Sequence, residues 1–323
     1  MQLHMMDLKN QLKRINDVIP RGAKVCYFDY PVHNNVGDML IWKGTEQFFK
    51  ECKIRVVKRF SHHLIDYLLN KQDKFIEIQK ENIIVCHGGG NFGDLYSVHQ
   101  KTRKLLVEKF INNRIVFLPQ SIHYENKQKM QEDFTVFRKH KDLHLYVRDK
   151  KSFLIASKYL ENVYLCQDMA HALYPINKKK TNKSNCLYFL RKDKERVDSH
   201  IINAERVNEF DWHLLFSKID LKIYRLLIRA HRSYKIQKII SPNLLSKLWY
   251  IFISHMINKA INFFNGYQTI ITSRLHGHIL ACLMNIENEL IDNSYGKNSS
   301  YYESWTNSIN CAHLIKEPFQ IKQ

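Results

Sequence analysis

The chain has 323 residues, 45% of them hydrophobic and 12% aromatic, which suits two ordinary domains with real cores and excludes a disordered chain. Its 50 Lys and Arg against 31 Asp and Glu leave a formal charge of +19, a balance that implies polyanionic company: nucleic acid, an anionic membrane face or phosphorylated substrates. No zinc-finger spacing or aromatic RNA-binding motif occurs, so nucleic acid is not an expected partner. No apolar run is long enough for a membrane span, and the first residues lack the basic and apolar regions of a secretory leader. The seven cysteines (26, 52, 86, 166, 186, 282 and 311) form no C-x-x-C pair, which points to a reducing cytoplasm rather than a disulfide frame or a zinc site.

Short apolar runs rich in Val and Ile predict strands at residues 24–29, 54–58, 83–86, 115–118, 143–147 and 163–166. Helices are predicted between them at 40–52, 94–112, 128–140 and 151–160. In the second of these, Leu95, Val98, Leu105, Leu106 and Phe110 are expected to share the buried face. Such alternation of strand and helix means an α/β fold with a parallel, doubly wound sheet. The polar run 177–185 is the predicted boundary, dividing an N-terminal domain, 1–176, from a C-terminal domain, 177–323. A second α/β unit opens with a strand at 186–190 and passes through a basic, helix-rich stretch, 212–264, with no regular alternation. Strands at 269–272 and 289–291 and a helix at 300–308 complete it.

Ligand-prone corners recur where these strands end. After the first strand come Asn35, Gly37 and Asp38, suited to a helix cap. After the third comes His87-Gly88-Gly89-Gly90-Asn91-Phe92-Gly93-Asp94, whose glycines suggest close backbone approach to a ligand. It satisfies G-x-G-x-x-G, but the next strand ends Leu118-Pro119-Gln120-Ser121, without the acidic residue a dinucleotide ribose needs, and no Lys follows Gly93 to make a phosphate loop. Arg148 follows the 143–147 strand and is either structural or turned to the cleft. Arg191, at the end of the 186–190 strand, is either an anion ligand or an exposed loop cation. Ser273-Arg274-Leu275-His276-Gly277-His278 sits between a strand and an apolar helix. It reads either as an anion clamp beside a proton shuttle or as a capped helix with two hydrogen-bonded polar side chains. His276 and His278 have H-x-H spacing but no acidic or Cys partner nearby, so no metal is expected.

Taken together and in this order, Asn35-Val36-Gly37-Asp38, the 87–94 run, Leu118-Pro119-Gln120-Ser121, Arg148-Asp149, Gln167-Asp168, Leu190-Arg191, Ser273-Arg274-Leu275-His276-Gly277 and Asp292-x-x-Tyr295-Gly296-Lys297 resemble the polysaccharide pyruvyl transferase family. The resemblance implies two Rossmann-like domains facing across a cleft, as in GT-B glycosyltransferases. It implies transfer of a pyruvyl group from phosphoenolpyruvate to two hydroxyls of a sugar in a surface polysaccharide or its lipid-linked precursor. By position, Arg191, Arg274 and His276 match the family's important second-domain residues. A donor with both a carboxylate and a phosphate needs more than one cation, expected here from Arg191, Arg274 and Lys297, and His276, beside Arg274 at the catalytic centre, is the expected acid and base. Asn35, Asp38, Gly89, Gly90, Asn91, Asp94, Gln120 and Ser121 fall on the acceptor side of the cleft. The expected partners are phosphoenolpyruvate and a glycan acceptor, with no other cofactor.

A nucleotide-sugar glycosyltransferase on the same architecture is the alternative enzyme, because fold analogy does not separate the two. A basic protein docked on a membrane or on nucleic acid is the non-catalytic alternative. A transferase acting on a lipid-linked sugar joins the two readings. It would sit in the cytoplasm at the inner leaflet, with Trp249, Tyr250, Phe252 and Ile253 as candidates to touch the interface.

Overall fold

The computed structural model describes residues 2–65, 77–177, 185–191, 201–202, 209–294, 296–315 and 319–320. The polar run expected to divide the chain lies almost wholly outside these residues, as does Tyr295.

The first half is built on a parallel sheet of β1 (Lys24–Tyr30), β2 (Arg55–Ser61), β3 (Ile83–Cys86), β4 (Gly89–Gly93), β5 (Ile115–His123), β6 (Leu143–Val147) and β7 (Val163–Leu165). The strand order is β2-β1-β3-β5-β6-β7, with β4 paired to β5. The reversal of direction at β1 and β3 is that of a doubly wound sheet. Val25, Tyr27, Ile84, Val85, Val116 and Phe117 are all buried, because helices cover both faces. The second half carries β8 (Cys186–Phe189), a two-residue β9 (Ile201–Ile202), β10 (Thr269–Thr272), β11 (Glu287–Ile291), β12 (Ala312–Ile315) and β13 (Phe319–Gln320). Its main sheet is also parallel, ordered β12-β11-β10-β8, while β9 pairs with β13. One apolar cluster runs through both halves, from Val25 and Val116 to Leu187 and Ile270.

Three features depart from the sequence reading. The glycine-rich corner is not all loop: Gly89–Gly93 runs beside β5 from Gln120 to His123. The helix expected at 94–112 is Ser97–Lys109, and its buried face carries Gln100, Thr102, Arg103, Leu106 and Val107, while Leu95 and Val98 are exposed. Gln100 and Arg103 are held inside because they bond Gly93 and Asn91, so polar partners rather than apolar spacing set the rotation of this helix. The 212–264 stretch is a helical hairpin, Lys218–Arg232 and Pro242–Phe264 with the short Tyr234–Ile239 between them. It packs back on the first half, where Trp249 Nε1 donates to the Pro31 carbonyl at 2.7 Å.

Candidate functional site

Parallel strands point one way, so the loops that follow them gather at one edge. In the second sheet, neighbouring β8, β10 and β11 deliver Arg191, the Ser273–His276 corner and Lys297 in turn. Local hydrogen bonds stitch these corners together. Thr272 Oγ1 donates to the Phe189 carbonyl and accepts from the Arg274 N–H. Ser273 Oγ accepts from the Arg191 N–H, and Asn298 Nδ2 donates to the carbonyls of Ser273 and Ile291. In the first sheet, β1 leads to Asn35 and Asp38, β4 carries Gly90 and Asn91, and β6 leads to Arg148.

The two sets meet around a cavity of about 320 Å³, lined by residues that include Asn35, Asp38, Gly90, Asn91, Arg148, Arg191, Arg274, His276 and Lys297. Its size is at the small end of ligand pockets, roughly 300–1,000 Å³. Among the described residues four permanent cations line it, with Asp38 as the lining carboxylate. Burial opposes ionisation of Asp38, but the facing His33, His276, His87 and Arg148 outweigh it and hold its carboxyl below the usual range.

His276 stands at the seam between the halves. Its Nε2 is 3.5 Å from Asp168, a buried carboxylate that follows β7 and also pairs with the buried Arg148. Burial disfavours the Asp168 charge, but Arg148 and His276 overcome it and depress its pKa far below the usual carboxylate range. The other side of the ring lies against Gly37, in the first turn of the Val36–Glu51 helix, whose N–H is capped by Asn35 Oδ1. A β-carbon at Gly37 would stand 2.6 Å from His276 Nδ1, so this glycine makes room for the imidazole. Gly90 does the same for the cations, because a β-carbon there would collide with Lys297 Nζ and crowd Arg148.

Arg274 lines the cavity with one edge of its guanidinium engaged: Nε and Nη2 donate to the two carboxylate oxygens of Asp211 at 2.9 and 2.6 Å. Asp211, immediately before the stretch without a readable alternation, therefore anchors the Arg274 fork. Gln120 and Ser121 sit behind the wall. Gln120 donates to the His87 carbonyl, and Ser121 accepts from Arg148 Nε and donates to Asp149. Their place is to hold the Arg148 strand end. Asp94 accepts from the N–H groups of Glu125 and Asn126 on a different surface, and Gly89 lies against Ile41 and Asp38 beneath the lining. His278 is buried and bonded to Asn288 and Thr306.

Several lining residues were not singled out from sequence, among them His33, Tyr96, His99 and Trp212. His99 is the most consequential. Its Nδ1 bonds buried Asp29 at 2.8 Å, which leaves Nε2 as the other proton-carrying atom. Burial acts against the Asp29 charge, yet His99, Arg103 and His62 bring its pKa down to about 2. Ligand atoms of Asp29, His62 and His99 lie within 4.8 Å of one another, and Arg103 stands 4.0 Å from Asp29.

The strand ends of two parallel sheets thus bring together a cationic cavity and a histidine 3.5 Å from a buried carboxylate, a setting suited to an anionic ligand. The family model for polysaccharide pyruvyl transferases matches residues 35–295, and the chain belongs to that family. It is 38% identical over 97% of its length to a Bacillus subtilis protein named "Putative pyruvyl transferase EpsO", covering 94% of it. It is 26% identical to pyruvyl transferase 1 of Schizosaccharomyces pombe, over 87% of this chain and 69% of that one. A solved structure of a functionally uncharacterised Klebsiella pneumoniae protein shares the fold, with a TM-score of 0.57 at 19% identity, covering 98% of this chain and 100% of that one.

Gly37→Ala is expected to lower transfer turnover by about 10²-fold, because displacement of a reacting group by about 1 Å costs that much. Helical backbone at Gly37 tolerates alanine, so the circular dichroism spectrum should stay that of the parent. Unchanged turnover would show that the ring has room to move without loss.

Proposed function

We propose that this chain transfers the pyruvyl group of phosphoenolpyruvate to two hydroxyls of one sugar, in a surface polysaccharide or its lipid-linked precursor, forming a cyclic ketal and releasing phosphate. What supports the reading most is the grouping of Arg148, Arg191, Arg274 and Lys297 around His276 in one cavity. A donor with both a carboxylate and a phosphate needs more than one cation, and guanidinium forks suit both groups. In this reading residues 1–176 form the acceptor side and 177–323 the donor side of a GT-B-like pair.

The donor methylene takes a proton and becomes a methyl group, which leaves C2 electrophilic. One sugar hydroxyl adds to C2 and loses its proton, the bond from C2 to the phosphate oxygen breaks, and phosphate departs. The second hydroxyl then closes the ring at C2 and gives up its proton to the departing phosphate or a base. Arg191, Arg274 and Lys297 hold the donor, and Asp211 fixes the plane of Arg274. His276 is the principal acid and base. With Nε2 buried 3.5 Å from Asp168, its Nδ1 is the atom left to exchange a proton with the substrate. His99, oriented by Asp29, supplies a second basic atom to a reaction that removes two hydroxyl protons.

The deciding experiment offers one acceptor glycan with either phosphoenolpyruvate or a nucleotide sugar. Phosphate release from phosphoenolpyruvate that depends on the acceptor supports the proposal. Release of nucleoside diphosphate, with phosphoenolpyruvate inert, would sink it.

A further inference from the structure

The hairpin of Lys218–Arg232 and Pro242–Phe264 presents a surface that the site chemistry does not use. The residues expected from sequence to touch lipid do not form it: Trp249, Phe252 and Ile253 are buried, and Tyr250 is half-buried against Trp42. A different set is outside. On the first helix Ile219, Ile223 and Leu226 recur at helical spacing, with Ile219 69% and Leu226 68% exposed. Beside them runs an exposed row of Lys218, Lys222, Arg225, Arg229 and Arg232. The apolar arc is thus wider than the part that Tyr224, Ile228 and His231 turn inward.

The second helix repeats the pattern with Leu244, Leu248 and Ile251, the last 67% exposed. The two rows adjoin. Asp220 receives His255 and Lys259, and Tyr224 packs on Trp249 and Phe252, so the turn of Ile219 and Ile223 lies beside the turn of Ile251. Between residues 212 and 264 the acidic side chain is Asp220 alone, and it is buried and paired. A wide apolar arc edged by a cationic row, to which the hairpin itself adds no exposed carboxylate, is complementary to an anionic bilayer and not to a surface of mixed charge.

We infer that this face docks on an anionic lipid surface, with Ile219, Ile223, Leu226, Leu248 and Ile251 in the headgroup region and the basic row on lipid phosphates. The docked face is close to the cavity along the chain. Asp211 and Trp212, which hold and line it, are separated from the first helix by a single turn that exposes Leu214. That proximity suits an acceptor carried on a lipid, a point that rests on the transfer reading, whereas the docking itself does not.

Vesicle sedimentation tests it, with neutral phosphatidylcholine vesicles against vesicles containing phosphatidylglycerol. The intact chain is expected on the anionic vesicles, and less of it as salt rises. Ile219→Ser/Leu226→Ser/Ile251→Ser and Lys222→Glu/Arg229→Glu should each weaken binding about tenfold or more, with turnover on a water-soluble acceptor unchanged. No binding by the intact chain, or unchanged binding by both variants, overturns the proposal. So does a lipid-free dimer that the serine variant splits in light scattering, which would assign the face to a second copy. Vesicle binding with no transfer to any acceptor leaves the docking standing and removes the pyruvyl-transfer reading instead.

Discussion

Replacing His276 by alanine is expected to lower turnover by roughly 10²–10⁴-fold, the range for loss of a positioned acid or base. The effect should be mostly on kcat, because the cations that hold the donor remain. Folding should survive, because His276 is neither an apolar core residue nor the principal partner of Asp168, which keeps Arg148. Steady-state kinetics beside a thermal melt separate the two effects. Near-normal turnover in a folded His276→Ala protein would end the assignment of His276 as the acid and base.

The second large effect is on stability. Asp168→Asn leaves Arg148 buried without its counter-charge, and breaking such a pair costs about 3–5 kcal/mol. The pH dependence has a definite sign. The folded Asp168 carboxyl titrates far below the unfolded value, because its cationic neighbours outweigh the cost of burial. Its contribution is therefore complete above a pH of about 4 and is lost as the pH falls further. The margin of the parent over Asp168→Asn should narrow in acid and be flat across neutral pH, as read by denaturant titration. Arg148→Met/Asp168→Asn should be more stable than the sum of the single changes, because it removes both charges together. Strict additivity would mean that the pair is not coupled.

Much of this arrangement was legible in the sequence. Strands covered on both faces are short, continuous apolar runs, so β1, β3, β5, β6 and β10 could be read with little error at their starts. Cavity-lining side chains at strand ends are legible for the same reason: the polar corner follows its strand within two residues, as at Arg191 and Arg274. Partners brought in from a distance are not. Asp211 reaches Arg274 across 63 residues and Asp29 reaches His99 across 70, and neither spacing repeats a local pattern. The Gln2–Gln11 helix was missed because its buried Met5 and Leu8 are set among polar residues and its burial depends on tertiary packing. Trp249 and Phe252 looked like interface residues because a bulky apolar run beside lysines fits a buried helix as well as an interfacial one. Helix rotation decides between them, and the core takes that face.

The central claim is tested most directly by mass spectrometry of the surface glycan made by cells with and without this protein. The account predicts that one repeat-unit sugar carries a pyruvyl ketal only when the protein is present, and that His276→Ala cells lack it. A glycan with the same ketal content in all three strains, or one that differs by a whole sugar, would contradict it.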